Sequence, residues 1–249
     1  MAGLAEPRHL DVAGKHVVVK LMDDSWIWNE CVSAHPFRPR SGIVWSHSDH
    51  CARLPVPGDE LPDFVRWVCD MYGNCAAMAW HEDLVLGHIV WLPRAVARDR
   101  QAAGWQGFGT AEQDEGTLVV VNVGFCSLSG HEFRRQGIGK AFVEIMLEWA
   151  RENGWRRVEV YDTPTGLLPG DWLDACIPPW PFWEGRGFEV FARHGKGELS
   201  AEQVAAILSD DPRLSSEEQL QKREIIAAIR RGEVAPDLVG YSYALRREL

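Results

Sequence analysis

The sequence predicts a mixed α/β protein, and three observations carry that expectation. Runs rich in β-branched and aliphatic residues recur along the chain, at Lys15–Met22, Thr117–Ser129 and Arg157–Asp162. One segment has the other periodicity. Ile138, Ala141, Phe142, Ile145 and Trp149 fall at i, i+3, i+4, i+7 and i+11, a single helical stripe that needs a sheet to cover it. The two patterns alternate through the sequence without internal repeat or low-complexity tract, as expected of strands flanked by helices.

Each element follows from local chemistry. Lys15-His-Val-Val-Val-Lys-Leu-Met22 reads as the first strand, and Trp26 to Arg40, rich in Trp, Pro and His, as loop and short helix. Beyond Pro55, Pro57 and Gly58, the residues Leu61, Phe64, Val65, Val68 and Met71 take helical spacing. Asn74–Trp80 and Asp83–Pro93 form a hairpin about His81-Glu-Asp83, and Arg94 to Gly116 reads as loop or irregular helix. Gly124, inside the strand Thr117–Ser129, marks a bulge or the close approach of another backbone. Asn153-Gly154 ends the clearest helix. Pro181–Gly187 holds a short helix and Phe188–His194 a strand. Two helices follow, Ser200–Leu208 and Ser215–Arg231, the second opened by the capping box Ser215-Ser-Glu-Glu218. Leu238–Leu245 returns to strand.

Bulk properties exclude several classes. The chain has 249 residues, enough for one elaborated domain, and no apolar run near the roughly 18 residues that span a bilayer. A net charge of -10 opposes nonspecific binding to nucleic acid and is compatible with an amine-bearing partner. The beginning of the sequence lacks the basic start and apolar stretch of a secretory signal, so a cytoplasmic protein is expected. Six cysteines, at positions 31, 51, 69, 75, 126 and 176, include no CxxC pair and suggest free thiols, with no metal site.

The chemistry concentrates in Ser127-Leu-Ser-Gly-His-Glu-Phe-Arg-Arg-Gln-Gly-Ile-Gly-Lys-Ala141, where a strand ends, a basic turn follows and two glycines open a helix. Glycines at a helix N-terminus let unpaired backbone N–H groups approach an anion, and Arg134, Arg135 and Lys140 add positive charge for phosphate oxygens. Neither a Walker loop nor a dinucleotide-binding fingerprint is present, since G-x-x-x-x-G-K-[ST] and the third glycine are both missing.

Arg134, Gly137 and Gly139 in Arg-x-x-Gly-x-Gly, preceded by His-Glu-Phe, resemble the acetyl-CoA signature of the GNAT superfamily of N-acetyltransferases. Phe182-Trp-Glu-Gly-Arg-Gly-Phe-Glu189 is similar to that family's Phe-Tyr-Glu-x-x-Gly-Phe segment. The resemblance implies one domain over 1–249 with a mostly antiparallel sheet. Its core spans about 15–194 plus a final strand at 238–245, with a helical insertion at about 199–232. It also implies that the backbone of Ser127, Leu128 and Ser129 meets the pantetheine arm of acetyl-CoA. Arg135, Gln136, Gly137, Ile138, Gly139 and Lys140 then hold the pyrophosphate, with Arg134 at the first motif position.

Transfer to an amine needs a base for the ammonium proton and a donor for the departing thiolate. Glu159, in Val158-Glu-Val160, resembles the position of a catalytic glutamate in acetyltransferases of ribosomal-protein N-termini, and Tyr161 shares its strand face. The alternative is an ordinary surface ion pair between Glu159 and Arg156 or Arg157, with Tyr161 packing. Where the family commonly has its tyrosine acid, this chain has Trp183, which delivers no proton at ordinary pH. The excursion Gly166–Trp180 is the specificity candidate. Trp172, Trp180 and Trp183 would wall a pocket, and Asp171 or Asp174 would attract a cationic amine. The expected function is direct acetyl transfer from acetyl-CoA to a primary amine, with the insertion covering the acceptor or forming a homodimer contact. A noncatalytic acyl-CoA-binding sensor is the alternative.

Overall fold

The computed structural model describes residues 5–23, 61–82, 84–100, 116–125, 133, 135–170, 177–195, 209, 214–235 and 241–249. Eight strands and five helices fall within them, and the architecture is α/β with mostly antiparallel strands, the predicted class. By internal contacts the chain divides into two compact units, Met1–Val158 with Glu248–Leu249, and Glu159–Arg247.

In the first unit, β1 (Arg8–Val12), β2 (Lys15–Leu21), β3 (Ala76–His81), β4 (Leu84–Pro93) and β5 (Thr117–Phe125) lie side by side in chain order, each pair antiparallel. The strand β1 is an addition to the sequence reading. Its turn is built at Ala13 and Gly14, both left-handed, where the Asp11 carboxylate accepts a hydrogen bond from the Gly14 N–H at 3.0 Å. The helices are α1 (Leu61–Tyr72), α2 (Arg94–Arg100) and α3 (Ile138–Glu152).

All five stripe residues of α3 are buried. So are Val143, Met146, Leu147 and Ala150, and the apolar face is wider than the stripe the spacing showed. Trp149 meets Trp91 of β4 with ring centroids 5.3 Å apart, and both are almost wholly enclosed. Burial of one such indole stabilises the unit by about 3 kcal/mol.

The bulge expected at Gly124 lies three residues earlier. Val90 pairs with Asn122 but Trp91 pairs with Val120, which leaves Val121 as the extra residue of β5. Gly124 has a different purpose. It faces His88 of β4, and a Cβ built there would stand 2.3 Å from His88 Cε1 and 2.6 Å from Nε2. The glycine makes room for an imidazole, not for another backbone.

In the second unit, β6 (Arg157–Pro164, its first two residues in the first unit) neighbours β8 (Tyr241–Glu248), which pairs antiparallel with β7 (Glu189–Gly195). The predicted final strand is present from Tyr241, and its expected first residues, 238–240, lie outside the described residues. The short helix α4 (Trp180–Glu184) leads into β7 through Gly187, whose N–H donates to Glu184 O at 2.9 Å. The helix α5 (Ser216–Arg230) carries the predicted capping box. Ser215 Oγ accepts from Glu218 N, and the Glu218 carboxylate accepts from Ser215 N at 2.9 Å. The helix expected at Ser200–Leu208 lies outside the described residues. Among those described, no helix is long and apolar enough to cross a membrane.

Gly124→Ala should lower the unfolding free energy by about 1–3 kcal/mol, because the buried ring has to move. A urea titration measures this. Adding His88→Ala should return part of the loss, a coupling that independent sites would not show.

Candidate functional site

The basic turn is shaped by backbone conformation and anchored by two apolar side chains. Arg135 (φ 59°) and Gly137 (φ 91°) are both left-handed, on either side of Gln136. Gly137 is the N-cap of α3 and brings no side chain to the helix end. No acid occupies the first turn. The Gly137 carbonyl accepts the first helical bond, from Ala141 N at 3.0 Å. The N–H groups of Ile138, Gly139 and Lys140 precede that bond, so the helix itself supplies them no acceptor. Donors and the positive end of the helix dipole coincide at an exposed turn.

Side chains of the candidate residues divide by exposure. Arg135, Gln136, Gly137 and Lys140 are exposed, whereas Ile138 is buried and offers a ligand only its backbone. Lys140 Nζ lies 3.6 Å from Glu144 Oε1 one turn on, with both side chains largely solvated. Such a pair contributes about 0.3–0.5 kcal/mol and leaves the ammonium able to turn toward an anion. Among the described residues, a Cβ built at Gly137 would meet nothing within 4 Å, and the positive φ is what resists a side chain there. Phe133, a residue that sequence reasoning did not assign, anchors the turn. It is buried, with the His81 ring 6.1 Å away and Lys15 Nζ 4.9 Å from its centroid. Its signal in the sequence was a single aromatic in the polar run His-Glu-Phe-Arg-Arg. Ser127, Leu128, Ser129 and Arg134 lie outside the described residues, as do Asp171 and Trp172.

In the second unit, Glu159 is 2% exposed and Tyr161 3% exposed, side by side on one face of β6. The Tyr161 hydroxyl donates to the Glu159 carboxylate. Glu159 is thus buried, not a residue of the surface, and Arg157 bonds Glu248 at 2.7 Å. Tyr161 is held by Phe191, edge to face at 5.9 Å, and Arg246 covers the other ring at 5.4 Å. Phe191 is positioned by a bulge of its own: Val190 pairs with Leu245 and Ala192 with Ala244. Asp162, next after Tyr161, has a positive φ of 53°, which breaks the strand's alternation beyond the pair.

The two tryptophans of α4 have separate places. Trp183 is fully buried between Phe182 and Phe188, and its Nε1 donates to the Pro178 carbonyl at 2.9 Å. Trp180 is half-buried and leans on Tyr243 at 5.7 Å, so it is the one with surface to present. Among the described residues no cluster of three or more His, Cys, Asp or Glu side chains is arranged for a metal.

Tyr161→Phe should remove about 1–3 kcal/mol of stability, read from a denaturant midpoint, because a buried carboxylate loses a donor. A Glu159 that sat in solvent would leave the midpoint unchanged.

The chain matches no protein-family model and no curated protein sequence. It is similar to solved structures of acetyltransferases. Ard1 from Thermoplasma volcanium shares 11% identity over 94% of this chain and 97% of its own, with a TM-score of 0.44. The ribosomal-protein-alanine N-acetyltransferase from Brucella melitensis shares 11% over 93% and 99%, with a TM-score of 0.43. A GNAT family acetyltransferase from Elizabethkingia anophelis, solved with acetyl-CoA bound, shares 11% over 94% and 98%, with a TM-score of 0.42.

Proposed function

We propose that the chain is an acyltransferase of the GNAT kind that binds acetyl-CoA and passes its acetyl group to a primary amine. The observation that best supports this is the α3 N-terminus, with Gly137 left-handed, no acid in its first turn, and Arg135 and Lys140 beside the free donors. A pyrophosphate matches such a turn. Its oxygens take up several backbone N–H groups at once, and its charge is favoured by the dipole and the two cations. Arg134, Gln136, Ile138 and Gly139 complete the cradle under this reading, while Ser127, Leu128 and Ser129 offer strand backbone to the pantetheine arm.

Glu159 and Tyr161 are the proposed acid/base pair. Glu159 takes a proton from the ammonium acceptor, either directly or through the Tyr161 hydroxyl already bonded to it. The free amine then attacks the thioester carbonyl carbon, the C–S bond breaks, the thiolate takes a proton from Tyr161, the surplus proton on the amide nitrogen passes to the Tyr161 phenolate, and Glu159 releases its proton to solvent. Asp171, Trp172 and Trp180 are proposed to receive the amine, with Trp183 fixing the helix that carries Trp180.

Calorimetric titration with acetyl-CoA tests the cofactor assignment. The parent should bind, and Gly137→Trp should not. Gly137→Ala, the control for backbone strain, should lower stability by about 1–2 kcal/mol while retaining some binding. Glu159→Gln should reduce kcat by roughly 10²- to 10⁴-fold with acetyl-CoA binding unchanged. Binding without turnover on any amine would leave an acyl-CoA-binding sensor. No binding by a folded parent would overturn the assignment altogether.

A further inference from the structure

Two cysteines face each other where α1 gives way to β3. Cys69 lies in the last turn of α1 and Cys75 immediately precedes β3, with their Sγ atoms 3.9 Å apart. The chain between them is tied at both ends. Gly73 N donates to Cys69 O at 2.8 Å and closes the helix. The Asn74 side chain accepts from Cys75 N at 2.8 Å and from Ala76 N at 3.0 Å, while its Nδ2 donates to Met22 O at 3.0 Å. On the other side, Cys75 O accepts from Trp91 N at 2.9 Å. Fixing both backbones in this way holds the two sulfurs at a high effective concentration toward each other.

The two thiols also differ. Cys69 is partly exposed, whereas Cys75 is wholly enclosed. The hydrogen bond to Cys69, and then burial, push the Cys75 thiol well above its ordinary pKa. A reagent from solvent therefore meets Cys69 first. A disulfide requires the sulfurs at about 2.05 Å, so they must close by roughly 2 Å.

We propose that Cys69 and Cys75 form a redox-active dithiol, which a low-molecular-weight disulfide converts to an internal disulfide stapling the end of α1 to the start of β3. Cys69 loses its proton to solvent and attacks one sulfur of the reagent, giving a mixed disulfide and one small thiolate. Cys75, releasing its proton, then attacks Cys69 Sγ and displaces the second thiolate. Two protein thiols are oxidised, one small disulfide is reduced to two thiols, and the two protons end on those thiols. The Cys-x5-Cys spacing becomes a pair only when Gly73 and Asn74 reverse the chain.

The test incubates the full chain with oxidised glutathione and maps peptides without reduction. The expected product is one cross-linked peptide joining Cys69 to Cys75, with the thermal midpoint raised by about 5 °C and restored by dithiothreitol. Cys69→Ser should abolish both changes. In Cys75→Ala, which keeps the exposed thiol, a glutathione adduct on Cys69 should persist instead of resolving, and this readout stands even if Cys69→Ser folds poorly. The proposal fails if the parent keeps a stable glutathione adduct on Cys69, if both thiols stay free, or if the cross-link maps to another pair.

Discussion

The burial of α3 on the strands of the first unit is the constraint on which the candidate cradle depends. A helix with one apolar stripe can rotate or slide on a sheet at little cost. One that buries Phe142, Ile145, Met146 and Trp149 together, with Trp149 against Trp91, is held in register. Ile138, buried at the first helical position, extends that grip to the N-terminus. The open donors are thus presented by a rigid element, and Phe133 fixes the chain that approaches them.

The buried pair on β6 follows a different economy. Taking a carboxylate out of water is unfavourable unless hydrogen bonds replace the solvent, and Tyr161 provides one of them. The phenol is itself oriented by Phe191, whose place comes from a bulge in β7. A residue on one strand thereby sets the geometry of a proton-bearing group on another. Polar chains of this kind are sensitive to the loss of any member, since each leaves its neighbour unsatisfied in a low dielectric.

How much of this was legible follows from periodicity. The boundaries of α3 and the capping box of α5 were readable because 3.6-residue spacing and Ser-x-x-Glu are local signals. The turn at Arg135–Lys140 was readable from its glycines and cations. Alternation failed at the bulges, because Val121 and Phe191 each shift the side-chain faces by one and no residue type announces it. The reading of Gly124 failed for a related reason: a glycine reports that space is needed, not what fills it, and His88 is far away in sequence. Glu159 as a buried group was equally hidden, since Arg156 and Arg157 beside it invited a surface pairing. The strand β1 went unread because five residues that include Arg8, His9 and Asp11 look like an exposed tail until Ala13 and Gly14 fold them back.

The polar residues of β1 bear on solubility. Among the described strands, β1 and β7 each have a neighbour on one side only, and such edges invite strand addition by another chain. β1 is five residues long and carries Arg8, His9 and Asp11, with Arg8 tethered to Glu148. A visiting strand would have to lie against these charges for a short ladder. β7 exposes Val190 and Phe191, a stickier surface, but the bulge at Phe191 interrupts the regular spacing of its edge. One described edge thus carries charge and the other an irregularity, two separate features that oppose strand addition.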